Sequence, residues 1–160
     1  MADYTFDANW KFQEEFIPQI DDILQQYAYL WASSRLGTFK EDTKQATDWV
    51  ATTEAASFAV RIRRYGYIRY KDLTIRSYCR GYKTEIDKLK QGHGDFYLYA
   101  WTDSDQIIAY WLIDLNKVRE ADLLNRATSR SNGDGTAFIT ISEHELKSAG
   151  AIIADVDRSN

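Results

Sequence analysis

The chain has 160 residues, a mass of 18.6 kDa, 44% hydrophobic and 28% charged residues, and a formal net charge of −4. That composition supports one globular domain with a buried core and excludes a disordered chain. No apolar run reaches the roughly 20 residues of a membrane span, and the single cysteine, Cys79, excludes an internal disulfide and a cysteine-based metal site.

Residues 1–9 read as flexible. The start, MADYTFDANWKF, is acidic and aromatic, without the basic-then-apolar pattern of a secretory signal, so a cytoplasmic location is expected. Phe12, Phe16, Ile20, Ile23, Tyr27 and Leu30 recur at steps of three or four, one face of a helix. Pro18 belongs in a first turn, so the regular helix begins near it, and Gly37 is a stop signal beyond its end. Extended segments follow at Ala46–Thr52, Ser57–Arg64 and Asp72–Tyr78, the first two joined by the short link TEAA. In SFAVRIRR, Phe58, Val60 and Ile62 alternate with Ala59, Arg61 and Arg63, giving one apolar and one cationic face. Gly81 breaks the chain, Thr84 caps a helix, and Gly92 and Gly94 end it. FYLYAW (96–101) and IIAYWLI (107–113) read as strands around the turn TDSD. Asp114 caps a helix over 115–125, and SNGDG (131–135) is a polar loop. A strand at 137–141 leads to Ser142 and Glu145, a capping-box pair for a helix that stops at Gly150. A last strand spans 152–156. The fold class is α+β. We expect a single domain with a mixed sheet of about five to seven strands, an N-terminal helix and a second helix after a three-stranded meander.

The net charge conceals an asymmetry. Between Arg61 and Lys90 there are ten basic and three acidic residues, a net of +7, which leaves −11 for the rest of the chain. The same window holds Tyr65, Tyr67, Tyr70, Tyr78 and Tyr82. Cations neutralise phosphates and aromatic rings stack on bases, so a localised nucleic-acid face is expected here, with Arg61, Arg63, Arg64, Arg69, Arg76 and Arg80 as its binding residues. The bland alternative is that these arginines pair with the acidic remainder.

His93 and His144 lie far apart with no Cys/His cluster, so zinc is not expected. Nucleotide-binding glycine motifs and the G-x-S-x-G elbow are missing. Carboxylates are better candidates. Asp48 falls within an apolar strand signal, Asp72 opens a strand on its polar face, and Glu85 lies one helical turn from Lys88. Mg²⁺ takes one or two carboxylates with phosphate and water, so Asp48 and Asp72 would be its ligands. Against this, Asp72 would serve equally as a cross-sheet partner of an arginine.

The order helix, three strands, helix, strand over about residues 10–102 resembles the core of the PD-(D/E)XK nuclease superfamily. By that resemblance Asp48 is the first acid. The next strand carries Arg61-Ile62-Arg63 where the family's triplet would stand. One strand later, Asp72-Leu73-Thr74 supplies an acid without a lysine. The resemblance then implies catalytic roles for Asp48, Asp72 and Glu85, with the lysine supplied as Lys83 or Lys88. KTEIDKLKQGHGD and YWLIDLNKVR are similar in character to small phage or mobile-element accessory proteins. The expected function is nucleic-acid binding on a nuclease-like fold, with Mg²⁺-dependent phosphodiester hydrolysis as its catalytic form. The alternative is a non-catalytic, phage-type interaction or inhibitor protein whose partner is another protein. DNA or RNA is the expected partner, with no membrane.

Overall fold

The computed structural model describes residues 11–30, 32–36, 49–53 and 56–159, with 32–36 and 49–53 described by their backbone. They fall into two compact units, one over Ile17–Ala56 and one comprising the rest. Asp48 and Gly37 lie outside the described residues, as do residues 1–9.

In the smaller unit, helix α1 spans Ile17–Gln26. It begins where Pro18 sits in the first turn, a position at which a missing N–H costs nothing. A single 3-10 turn, η1, follows at Ala28–Leu30. Strand β1 (Ala32–Leu36) then pairs antiparallel with β2 (Trp49–Thr53), from Ala32↔Thr53 to Leu36↔Trp49. The helix therefore stops well short of Gly37. ASSRL has two serines, which compete poorly for helix, and it is recruited by the β-branched strand WVATT.

The larger unit contains β3 (Phe58–Arg64), a 3-10 segment η2 (Tyr65–Tyr70) and β4 (Asp72–Cys79). Helix α2 (Glu85–Lys90), β5 (Phe96–Asp103) and β6 (Gln106–Asp114) follow. Helices α3 (Leu115–Glu120) and α4 (Leu123–Arg126) lead to β7 (Thr128–Ser131), β8 (Thr136–Ser142), α5 (Glu143–Ser148) and β9 (Ile152–Asp157). The class is α+β, as expected. Seven strands make two sheets, a mixed one ordered β3-β5-β6-β9 and an antiparallel one ordered β4-β8-β7.

The expected meander does not form. The three segments assigned to it lie in three different sheets: β2 pairs with β1, β3 runs parallel to β5, and β4 pairs with β8. Alternation identifies a strand but carries no information about its neighbour, and long-range partners decide that. The helix expected over 115–125 also divides, because Asp122 adopts a left-handed conformation (φ 55°) between α3 and α4. The cap assignments hold. Asp114 accepts from the backbone N–H of Asn116 and Lys117, Thr84 pairs with Asp87, and Ser142 and Glu145 form a reciprocal capping box.

The core lies on one face of β5 and β6. Tyr97, Tyr99 and Trp101 alternate with opposite-facing residues on β5, and Ala109, Trp111 and Ile113 do so on β6. They meet Leu73 and Ile75 of β4, Ile139 and Ile141 of β8, and the apolar sides of α2, α3 and α5. Trp101 and Trp111 meet edge to face with centroids 4.9 Å apart, a geometry the ring quadrupoles favour.

Candidate functional site

β3 is an edge strand of the mixed sheet, and its parallel register sets Arg61 beside Tyr99 and Arg63 beside Trp101. Its cationic face is thus the face it shares with the core tyrosines, while Ile62 is buried on the other side. The arginines join β3 to β4 with side chains instead of a ladder. Arg61 Nη1 donates to the Thr74 carbonyl at 3.3 Å, and Nη2 donates to Glu85 Oε2 at 2.9 Å. Arg63 Nη1 donates to Thr74 Oγ1 and, at 2.9 Å, to the Tyr99 hydroxyl.

Glu85 is the hub. It opens α2, and its Oε1 accepts from the Tyr97 hydroxyl while Oε2 also accepts from the backbone N–H of Arg76 at 3.3 Å. Burial pulls the Arg61 guanidinium down, but Tyr97, Glu85 and Tyr99 outweigh it, so its pKa stands above the ordinary arginine value. Burial also holds the Tyr97 phenol well above the ordinary tyrosine value, against the opposing pull of Arg61. Tyr97 therefore remains a donor at neutral pH.

An open cleft of about 780 Å³ borders this network. Arg61, Arg63, Arg76, Lys83 and Lys88 contribute cations to its lining, and Glu85 contributes the one carboxylate among the described residues. Glu85 is engaged by Arg61 and Tyr97, and the outer wall carries the exposed cations Arg76, Lys83 and Lys88. Tyr82 stands at this wall with 78% of its surface exposed.

The segment η2, YGYIRY, is held from beneath by Ile68, which packs on the core, and is closed by Lys71 in a left-handed conformation. Tyr65, Tyr67 and Tyr70 are left on the outside. Tyr67 and Tyr70 are three apart, a spacing that eclipses side chains on a 3-10 helix, and their rings lie 6.3 Å apart. The Arg63 guanidinium lies 4.3 Å from the Tyr67 ring centre and that of Arg69 4.9 Å from Tyr70. Arg63 thus connects the inner network to the outer ring. Across the described residues, the exposed large hydrophobic side chains are Ile17 and the five tyrosines Tyr65, Tyr67, Tyr70, Tyr78 and Tyr82.

The structure divides the expected site residues. Arg61, Arg63, Arg76, Glu85, Lys83 and Lys88 line one cleft. Arg64 and Arg69 are exposed near η2, with Arg64 6.0 Å from the Phe12 ring centre. Arg80 is exposed and lies over Gly135 of the β7–β8 loop. Asp72 is outside the cleft lining. Burial raises its pKa, against the charges of Arg63 and Arg130. No three His, Cys, Asp or Glu side chains are gathered among the described residues, and Glu85 is already engaged. The charge pattern does not point to Thr74, Tyr97 and Tyr99 as partners. The available signal was their position: tyrosines in the apolar strand FYLYAW bury hydroxyls that need partners. Comparison of the chain with protein-family models, curated proteins and solved structures gives no match.

Proposed function

We propose that the chain is a nucleic-acid-binding protein that holds phosphate groups on the surface formed by Arg61–Lys90. One observation carries this reading: the exposed aromatic side chains and the positive charge fall in the same window. Five tyrosines stand in solvent there, within a segment of net +7 in a chain of net −4. Burying those rings in the core would have been the default use of aromatic residues. Exposed rings interleaved with cations suit a polyanion that also offers flat bases. The inner arginines Arg61 and Arg63 brace the surface, and the contacts with phosphate fall to Arg64, Arg69, Arg76, Arg80, Lys83 and Lys88.

The test is fluorescence anisotropy with labelled DNA and RNA oligonucleotides at two salt concentrations. Binding is expected to weaken steeply with salt, because each neutralised phosphate contributes a slope of roughly −0.7 to −0.9 in log K against log salt. The triple variant Arg76→Glu, Lys83→Glu, Lys88→Glu changes exposed residues and is expected to keep the fold while losing at least about tenfold in affinity. Unchanged affinity in that variant would refute the proposed surface. Capture of an acidic protein in place of nucleic acid would support the interaction-protein reading instead.

A further inference from the structure

Resting on the nucleic-acid reading, we infer that the preferred ligand is single-stranded, with unpaired bases stacked on Tyr67 and Tyr70 of η2 and its backbone led toward the Arg76–Lys88 side of the cleft. The ring faces of a duplex are closed to a protein by base stacking, whereas a single strand offers them to any flat side chain.

Three observations point to stacking in particular. First, the rings are presented and not merely exposed. Ile68 anchors η2 on the core, so Tyr67 and Tyr70 are carried outward on a fixed backbone, 48% and 56% exposed. Second, a guanidinium lies against each ring: that of Arg63 is 4.3 Å from the Tyr67 ring centre, and that of Arg69 is 4.9 Å from the Tyr70 ring centre and donates to its hydroxyl at 3.0 Å. Such contacts hold the rings in place. Arg63 is itself fixed by Thr74 and Tyr99, so Tyr67 is oriented from the interior. Pre-ordering of this kind lowers the entropy cost of binding. Third, tyrosines do not stop at η2: Tyr78 and Tyr82 are exposed as well, and Tyr82 borders the cationic cleft. Phosphate-binding cations and stacking rings thus alternate over one stretch of chain, which suits a ligand with a charge and a flat ring in every repeat.

The experiment uses the full chain and anisotropy at a fixed salt near 0.1 M. Its probes are labelled single-stranded 20-mers, oligo(dT) and oligo(U), a 20-base-pair duplex, and an abasic 20-mer that keeps the phosphates without bases. We expect at least one single strand to bind tenfold or more tighter than both the duplex and the abasic strand. The double variant Tyr67→Ala, Tyr70→Ala is expected to lose about fivefold or more per ring on the single strand and little on the abasic one. Tyr67→Phe with Tyr70→Phe keeps the stacking faces and is expected to bind as the unmodified chain does. Equal binding of duplex, abasic and single strands, or no loss in the alanine variant, overturns the stacking inference and leaves phosphate binding intact. No binding to any of the probes overturns the nucleic-acid reading itself.

Discussion

Replacing Glu85 with alanine removes the acceptor of the Tyr97 hydroxyl and the counter-charge of Arg61 in one step. Tyr97 is fully buried, and a stranded buried donor costs about 1–3 kcal/mol. Arg61 and Glu85 are partly open to solvent, so their pairing adds less than a fully buried pair would. Glu85→Ala is therefore expected to lose about 2 kcal/mol in a urea melt, and a variant as stable as the parent would contradict the hub role. Tyr97 also sets an alkaline limit. Its folded pKa is raised well above the value near 10 of an unfolded tyrosine, so the unfolded chain gives up its proton first. The stability it contributes is complete below pH 10 and declines as pH rises beyond it. Tyr97→Phe should flatten that decline, by at most about 1.4 kcal/mol per pH unit. A parallel alkaline curve for the two proteins would rule this out. Ser77 makes the opposite case. It stands at the register shift of β4, and its buried Oγ has no hydrogen-bond partner among the described residues. Ser77→Ala should be neutral or slightly stabilising, read as an unchanged or raised melting temperature.

Helix starts are the elements that the chain specifies most locally. Ser142 and Glu145 satisfy each other's backbone N–H groups at α5, and the Ser142 amide and hydroxyl hold the Glu145 carboxyl below the ordinary range. A lowered carboxyl contributes stability above its unfolded pKa and loses it as pH falls through the folded value, so this cap weakens as pH falls below the unfolded glutamate value of about 4.3. Ser142→Ala is expected to cost about 1 kcal/mol at neutral pH, and a cost near zero would show that α5 is held by packing alone. Such caps are legible in sequence because both partners lie within four residues. The strands FYLYAW and IIAYWLI are legible too, since runs so rich in β-branched and aromatic residues suit little else. Pairing was not legible. In SFAVRIRR the alternation was visible, but the face turned to the core was not. Arg61 and Arg63 made one side look solvent-facing, and the tyrosine hydroxyl that receives Arg63 sits 36 residues away on β5. Half of the candidate site was therefore found as a charge pattern, and the other half required the fold.

At the scale of the molecule, charge is partitioned: +7 in thirty residues and −11 in the others. Within the basic window, Arg64, Arg69, Arg76, Arg80, Lys83 and Lys88 are exposed, as are five tyrosines. No helix among the described residues is long and apolar enough to cross a membrane. The most direct test is ultraviolet cross-linking of the chain to a 4-thiouridine-containing single strand, with the modified peptides mapped by mass spectrometry. Binding at this surface predicts cross-links concentrated between Tyr65 and Tyr82, lost at high salt and reduced by Tyr67→Ala with Tyr70→Ala. Salt-resistant cross-links spread over the acidic remainder, with none between residues 61 and 90, would contradict binding there.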